Sequence, residues 1–498
     1  CYNLVCPGFV QINRRIALGA TIAPTSSYNG TQFDISLLVW KDPKHGDWWL
    51  EYGSGVVIGY WPALLFTHLR SHATKTQFGG EVVNKRSWGF HTATEMGSGH
   101  FAGEGFRKAA YFRNMKVVNL DNRLIPLSDL KFKKLKLIQA DLNRINKFPV
   151  KTIQSPDGDF IDCVETHRQL AFDHPLLKGK KPLDPPERPY NQSHSGEVET
   201  EVFQLWSMSG EFCPEGTVPI RRTTEEDMLR ASSVQRFGRK ASGDSPSKGH
   251  EYAVGFVGGG QYYGAQARMT VWKPRVNYPF EFSLSQIWLV SGTLPHDLNN
   301  IEAGWQVYPK MYGDNNPRFF TYWTSDAYQA TGCYNLVCPG FVQINRRIAL
   351  GATIAPTSSY NGTQFDISLL VWKDPKHGDW WLEYGSGVVI GYWPALLFTH
   401  LRSHATKTQF GGEVVNKRSW GFHTATEMGS GHFAGEGFRK AAYFRNMKVV
   451  NLDNRLIPLS DLKVWADKPN CYNIQPRNDR VWGNYFYYGG PGRNVKCP

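Results

Sequence analysis

Glu302 and Glu413 are the two residues whose setting could do chemistry. Glu302 lies in Asn300-Ile-Glu302-Ala-Gly304-Trp-Gln306-Val, and Glu413 in Gln409-Phe-Gly-Gly412-Glu413-Val-Val-Asn416. Each is an acid in an apolar or small-residue run that reads as a strand. An inward-facing carboxylate there is costly unless partnered or protonated. Two such groups facing one another would split their affinities for the proton, one ionised and the other neutral. The ionised one can take a proton from water. The other can protonate a leaving amine or stabilise an oxyanion. Neighbouring glycines would let a backbone or a substrate strand come close. The same pattern also suits two ordinary edge-strand acids facing solvent, and the residues alone leave both readings open.

Other chemistries lack their signatures. No Gly-x-Ser-x-Gly elbow occurs; Gly385-Ser386-Gly387 and Gly429-Ser430-Gly431 read as strand turns. The Gly258-Gly-Gly260 run with Gly264 does not have dinucleotide-loop spacing and sits between strands. There is no pair of Cys-x-x-Cys motifs and no His-Glu-x-x-His, so neither a metal site nor a cofactor is expected. Cys333 and Cys338 flank a short turn, Cys471 and Cys497 bracket the C-terminal segment, and Cys163 and Cys213 lie upstream. Their even number and loop-closing placement suggest disulfides in an oxidising compartment, with buried free thiols as the other reading. The sequons Asn191-Gln-Ser and Asn361-Gly-Thr also fit secretion.

Strands must position the two acids. Short runs rich in aromatic and β-branched residues recur from Glu251 onward, with Gly, Asn, Asp or Pro between them. They predict strands at 252–257, 262–272, 282–290, 305–308, 318–323, 341–344, 367–373, 380–384, 388–392, 412–415, 442–450 and 485–488. Such spacing argues for an antiparallel sandwich or barrel. Upstream, Leu135, Leu137, Ile138, Leu142 and Ile145 predict an amphipathic helix over Phe132–Lys147. Thr223-Thr-Glu-Glu226 reads as a capping box opening a short helix. The Lys181–Pro189 run reads as an extended linker, and the basic, Ser/Gly-rich stretch from Arg236 through Lys240 to Gly249 as a protease-sensitive one.

The totals need correcting for a repeat. Residues 1–131 recur letter for letter at 333–463, so the 498 residues and the net charge of +13 count one segment twice. A drift-free period of this length is no solenoid. The first copy lacks whatever precedes Cys333 in the second, so it should expose unpaired strand edges. Both copies compete for one segment, 250–332, and loop closure favours the second, contiguous one. The basic residues are dispersed and accompany no nucleic-acid-binding motif, which argues against a nucleic-acid partner. The longest apolar stretch, Val388–Phe398, is shorter than the roughly 18–20 residues of a membrane span.

Long motifs carry a family resemblance. Glu302-Ala-Gly-Trp-Gln-Val, Tyr312-Gly-Asp-Asn-Asn, Phe320 through Leu336, Gly411-Gly-Glu413-Val-Val-Asn416, Met428-Gly-Ser-Gly-His-Phe433 and Tyr487-Tyr-Gly-Gly-Pro-Gly492 resemble neprosin, a plant glutamic endopeptidase that cleaves after proline. Gly158–Cys163, Phe172-Asp-His-Pro-Leu176 and Cys213–Arg222 look like the family's activation peptide. The resemblance implies that Glu302 and Glu413 form the catalytic pair. It also implies an all-β antiparallel sandwich behind a small mixed α+β activation segment, no metal, an acidic working pH, and a zymogen matured by removal of its N-terminal segment. The family's disulfides map onto Cys333–Cys338 and Cys471–Cys497.

The expected organisation is then a partial duplicate at 1–131, either non-functional or an artefact of the gene model, an activation segment and linker at 132–241, and a peptidase domain at 242–498. Glu81 matches Glu413, but nothing in the first copy matches Glu302, so that copy should be inert. The expected partner is a proline-containing peptide or protein, met by a monomer in the cell wall, apoplast or vacuole. Two rivals stand beside this reading: a two-carboxylate glycoside hydrolase, and a non-catalytic cell-wall or carbohydrate-binding sandwich.

Overall fold

Alternating apolar and polar residues give each strand two faces, and the molecule uses both. The computed structural model describes residues 2–83, 92–190, 203–231, 233, 236–240, 249–417 and 422–498, without the side chains of 128–136 and 203. The sequon at Asn191 and the linker stretch 241–248 lie outside the described residues. The chain forms two compact units, Cys1–Lys136 and Leu137–Pro498. No described helix is long and apolar enough to cross a membrane.

The second unit is an all-β antiparallel sandwich. Its front sheet comprises β1 (His250–Tyr262), β2 (Ser283–Ser291), β3 (Asn299–Val307), β4 (Arg318–Thr324), β5 (Ala405–Val415) and β6 (Lys463–Ala466), in the order β4-β3-β2-β5-β1-β6. A nine-stranded back sheet includes Val342–Gln343, Asp366–Lys373, Trp380–Tyr384, Val388–Trp393 and Ala442–Val450. Odd-numbered residues of the central front strands, Ile287, Leu289, Ile301, Ala303 and Trp305, point into the core between the sheets. They meet Ala267, Met269, Leu369, Val371, Leu382 and Phe444 from the back sheet. The even-numbered residues therefore face the other way, and Glu302 is one of them.

Several strands are longer than the sequence predicts. Strand β3 begins at Asn299 rather than Trp305, and β5 at Ala405 rather than Gly412. In both cases polar residues are held in strand by neighbours on each side, which supply the ladder hydrogen bonds whatever the side chain.

Upstream of the sandwich, helix α1 (Leu127–Ile145) starts five residues before the expected Phe132. Ile138 and Ile145 pack with Leu170 and Met228. A three-stranded sheet joins Pro149–Gln154, Phe160–Glu165 and Thr217–Arg221, tied by the Cys163–Cys213 disulfide. Helix α2 (Glu225–Arg230) is capped by Thr224 with Asp227, one residue later than the sequence suggests. The reason is that the Thr223 amide is spent on Asn146 Oδ1 at 3.0 Å, which keeps the chain extended there. Cys333–Cys338 and Cys471–Cys497 are also disulfides. Asn361 is exposed in a turn.

The first unit shows what the repeated sequence does without residues 250–332 in front of it. Among the described residues its strands Val10–Gln11, Leu37–Lys41, Trp48–Tyr52 and Val56–Trp61 pair only with one another. Leu37 is 57% exposed where its counterpart Leu369 is fully buried, and Val39 is 48% exposed against 1% for Val371. Glu81, the counterpart of Glu413, is exposed and lies outside any strand.

Candidate active site

The register of three central strands places the two acids. Glu302 on β3 is opposite Trp288 on β2, and Glu413 on β5 is opposite Leu284 on β2. Trp288 and Leu284 are an even number of residues apart, so both acids project from the same face. Between their rows lies a third, in which Gln286 is flanked by Gly304 on β3 and Gly411 on β5. Gln286 is thus the one side chain of those three strands standing between the acids. Glu302 is fully buried and Glu413 is 2% exposed, which removes the reading of solvent-facing edge acids.

Of the two expected jobs for the glycines, the structure shows the close approach of backbone. A Cβ on Gly304 would lie 2.0 Å from the Ser285 carbonyl oxygen, and one on Gly411 2.3 Å from that of Ala253. They let the strands themselves close up. Gly304→Ala should therefore force backbone apart and cost on the order of 1–3 kcal/mol, read as a lower melting temperature. An unchanged melting temperature would show that the strands can slide to accept the methyl group.

Each acid has a basic partner that the sequence did not reveal. Lys240 places Nζ 2.6 and 2.8 Å from the two Glu302 oxygens. Gln286 Nε2 donates to the same carboxylate at 2.9 Å, and Asn300 Nδ2 at 2.8 Å. The Lys240 ammonium also sits over the rings of Tyr322, Tyr328 and Tyr334, at 4.6, 5.2 and 5.9 Å from their centroids. Such a cage attracts a cation in its own right. On the other acid, His250 Nδ1 lies 2.5 Å from Glu413 Oε1.

The surrounding phenols are kept protonated. Burial pushes Tyr328 and Tyr334 well above the ordinary tyrosine range, and the charges of Glu302 and Glu413 push further. Tyr252 is raised by burial first and then by the same two acids. One pocket of hydroxyls therefore feels both carboxylates. These tyrosines can donate hydrogen bonds to a developing oxyanion but cannot serve as bases at any ordinary pH.

The stretch expected to be a plain linker is built into this site. Tyr334 donates its amide to the Gly238 carbonyl at 2.8 Å, Arg239 holds the Ala330 carbonyl at 2.8 Å, and the Lys240 amide reaches the Tyr322 hydroxyl at 3.4 Å. Residues 238–240 thus lie over the face that carries the acids. Its basic, glycine-containing composition concealed this, because a lysine that pairs with one buried acid looks like any other solvated lysine. Gln286 and His250 carried no signal beyond their type.

Comparison with known proteins adds the following. The family model for neprosin matches residues 1–154 and 279–491, and that for the neprosin activation peptide matches residues 152–256. Among solved structures, Scytalido-glutamic peptidase with a peptide-based transition-state analogue is 12% identical, covering 49% of this chain and 98% of that one, with a TM-score of 0.26. SCP-B, a member of the Eqolisin family of peptidases in complex with the tripeptide Ala-Ile-His, is 11% identical, with 49% and 98% covered and a TM-score of 0.26. The chicken-liver agglutinin CG-16 is 9% identical, with 32% and 92% covered and a TM-score of 0.18.

Proposed function

The chain belongs to the neprosin family, and from that premise we propose that it is the zymogen of a glutamic endopeptidase that hydrolyses peptide bonds, with proline preceding the scissile bond, at acidic pH. The observation that carries this reading is the pair of buried acids on one face, one of them held by a lysine of the activation segment. With residues 238–240 removed, Glu302 is left with Gln286, Asn300 and the Tyr328 hydroxyl as donors and loses its ammonium partner. A water between the acids loses a proton to the ionised carboxylate and attacks the scissile carbonyl. The second carboxyl protonates the leaving amine, and Gln286 and the tyrosine hydroxyls steady the oxyanion. No step calls for a metal or cofactor.

Extracellular or vacuolar residence, glycosylation at Asn361 and Asn191, and action as a monomer complete the proposal. The three disulfides among the described residues suit an oxidising compartment. A digest of a proline-containing peptide library at acidic pH tests it. Chain processed between Lys240 and Gly249 should cut after proline and intact chain should not. Turnover of polysaccharide without any peptide cleavage would sink the reading.

Lys240 gives a second test. Charge-assisted hydrogen bonds are worth about 1.5–3 kcal/mol. Lys240→Gln should then loosen the segment enough to raise the activity of unprocessed chain roughly tenfold or more. Initial rates on a short proline peptide measure it, and a rate equal to that of the parent zymogen would show that the lysine is not the latch.

A further inference from the structure

One row of residues crosses the whole front sheet between the two acids. It runs Phe320, Gly304, Gln286, Gly411, Val254, Trp465, one residue from each strand in turn from β4 to β6. Glu302 stands in the adjoining row on one side, with Trp288, Gln409 and Phe256. Glu413 stands in the adjoining row on the other side, with Leu284 and Tyr252. Gly304 and Gly411 raise no side chain, so the middle row is a groove with one acid on each bank and Gln286 on its floor.

The groove changes along its length. At the β4 end Phe320 is fully buried against Tyr334, with ring centroids 5.9 Å apart. Beside Gly411, the rings of Trp288 and Tyr252 meet edge to face across the gap at 6.4 Å, and Val254 is buried below them. At the β6 end lies Trp465. It is 52% exposed and the one exposed tryptophan among the described residues. No ring of the described residues packs against it, and β6 is the edge of its sheet. A peptide laid along the groove puts its scissile carbonyl over Gln286 and its longer arm toward this open end. Neighbouring strands are about 4.8 Å apart, so three strand steps separate Gln286 from Trp465 by about 14 Å, the length of about four residues of extended peptide.

We infer that Trp465 is a specificity-determining residue, on which the substrate stacks an aromatic side chain about four residues from the scissile bond. The inference deepens the peptidase reading and rests on it. The exposed indole offers a face for offset stacking, which aromatic pairs prefer and an aliphatic side chain cannot match. Lys463, two residues before it, and Asp467, two residues after it, carry opposite charges. The position therefore selects by stacking rather than by charge.

Peptides with one proline before the scissile bond, and with phenylalanine or alanine three to five residues away on either side, test it. They are titrated by anisotropy into chain cut between Lys240 and Gly249, and cleavage is followed separately. At one position phenylalanine should bind roughly two- to twelvefold more tightly than alanine. Trp465→Ala should bring that ratio close to one, and Trp465→Phe should keep part of it. The ratio is taken within each chain, so a general loss of affinity cancels. The parent chain alone can overturn the inference, by binding no peptide or by binding phenylalanine and alanine peptides equally at every position. A ratio that survives Trp465→Ala overturns it as well. A phenylalanine preference that Trp465→Ala abolishes, without any cleavage, would support the subsite and sink the peptidase reading.

Discussion

Glu302→Gln and Glu413→Gln should each lower kcat on a proline peptide by several orders of magnitude, and the double variant should be little worse than either single one. Groups that act as a unit fail as a unit, so their losses do not add. Glutamine keeps the length and most of the hydrogen bonds of glutamate, but can neither accept a proton from water nor deliver one to an amine. The measurement belongs on processed enzyme lacking Lys240. In the zymogen, Glu302→Gln would also leave the Lys240 ammonium without its counter-charge, although it is largely enclosed beside a fully buried carboxylate. Removing one partner of a buried pair costs about 3–5 kcal/mol, so the zymogen should melt earlier. The processed enzyme should not share that loss. Parent-level cleavage by processed Glu302→Gln would end the two-acid mechanism. A double variant much slower than either single one would mean that the acids work in separate steps.

The acids were legible in the sequence and their surroundings were not, for a physical reason. Alternation along Asn300–Val307 fixes which residues share a face, so placing Glu302 in a strand already put Gly304 and Gln306 beside it. Which strand lies next to which is a long-range matter. Gln286 stands between the acids only because β2 runs between β3 and β5, and nothing local to Gln286 says so. Lys240 was harder still, since its role depends on a segment with no periodicity crossing a sheet built from residues far along the chain. The repeat sharpens the point. Leu37 and Leu369 have identical neighbours for many residues on both sides, yet one is exposed and the other fully buried. Local sequence set the same hairpins in both copies, and residues 250–332 before the second and 464–498 after it made a core.

Acid should loosen the activation segment from the sandwich, and the loosening should centre on Arg318. This side chain is 1% exposed at the start of β4 and gathers three carboxylates. Asp157 and Asp159 come from the activation segment and Asp314 from the sandwich. Arg221, also from the segment, pairs with Asp159 at 3.0 Å and with Asp227 at 3.0 Å. Burial alone would push the Asp157 carboxyl up, but hydrogen bonds from Ser155 and Thr353 and the charge of Arg318 outweigh it and hold it below the ordinary range. Asp314 is likewise lowered, burial being outweighed by its hydrogen bond to Arg318 and that residue's charge. A carboxyl whose affinity for the proton is lowered by folding stabilises the folded seam above its ordinary value of about 3.9. That contribution is lost as the pH falls through the lowered folded value. The seam should thus hold near neutrality and weaken progressively below about pH 4, leaving Arg318 charged and short of partners. Arg318→Met should reverse the dependence by a harsher route, crowding three acids together and costing about 3–5 kcal/mol at neutral pH, a loss that acid relieves as the crowded carboxyls take up protons. Asp157→Asn should be milder and should flatten the curve of stability against pH between about 5 and 2. Urea midpoints of the intact chain across that range measure both. Superimposable curves for the parent and Asp157→Asn would show that acid acts elsewhere, whereas a flattened one would place an acid-sensitive joint between the segment that covers the cleft and the sheet that holds the acids.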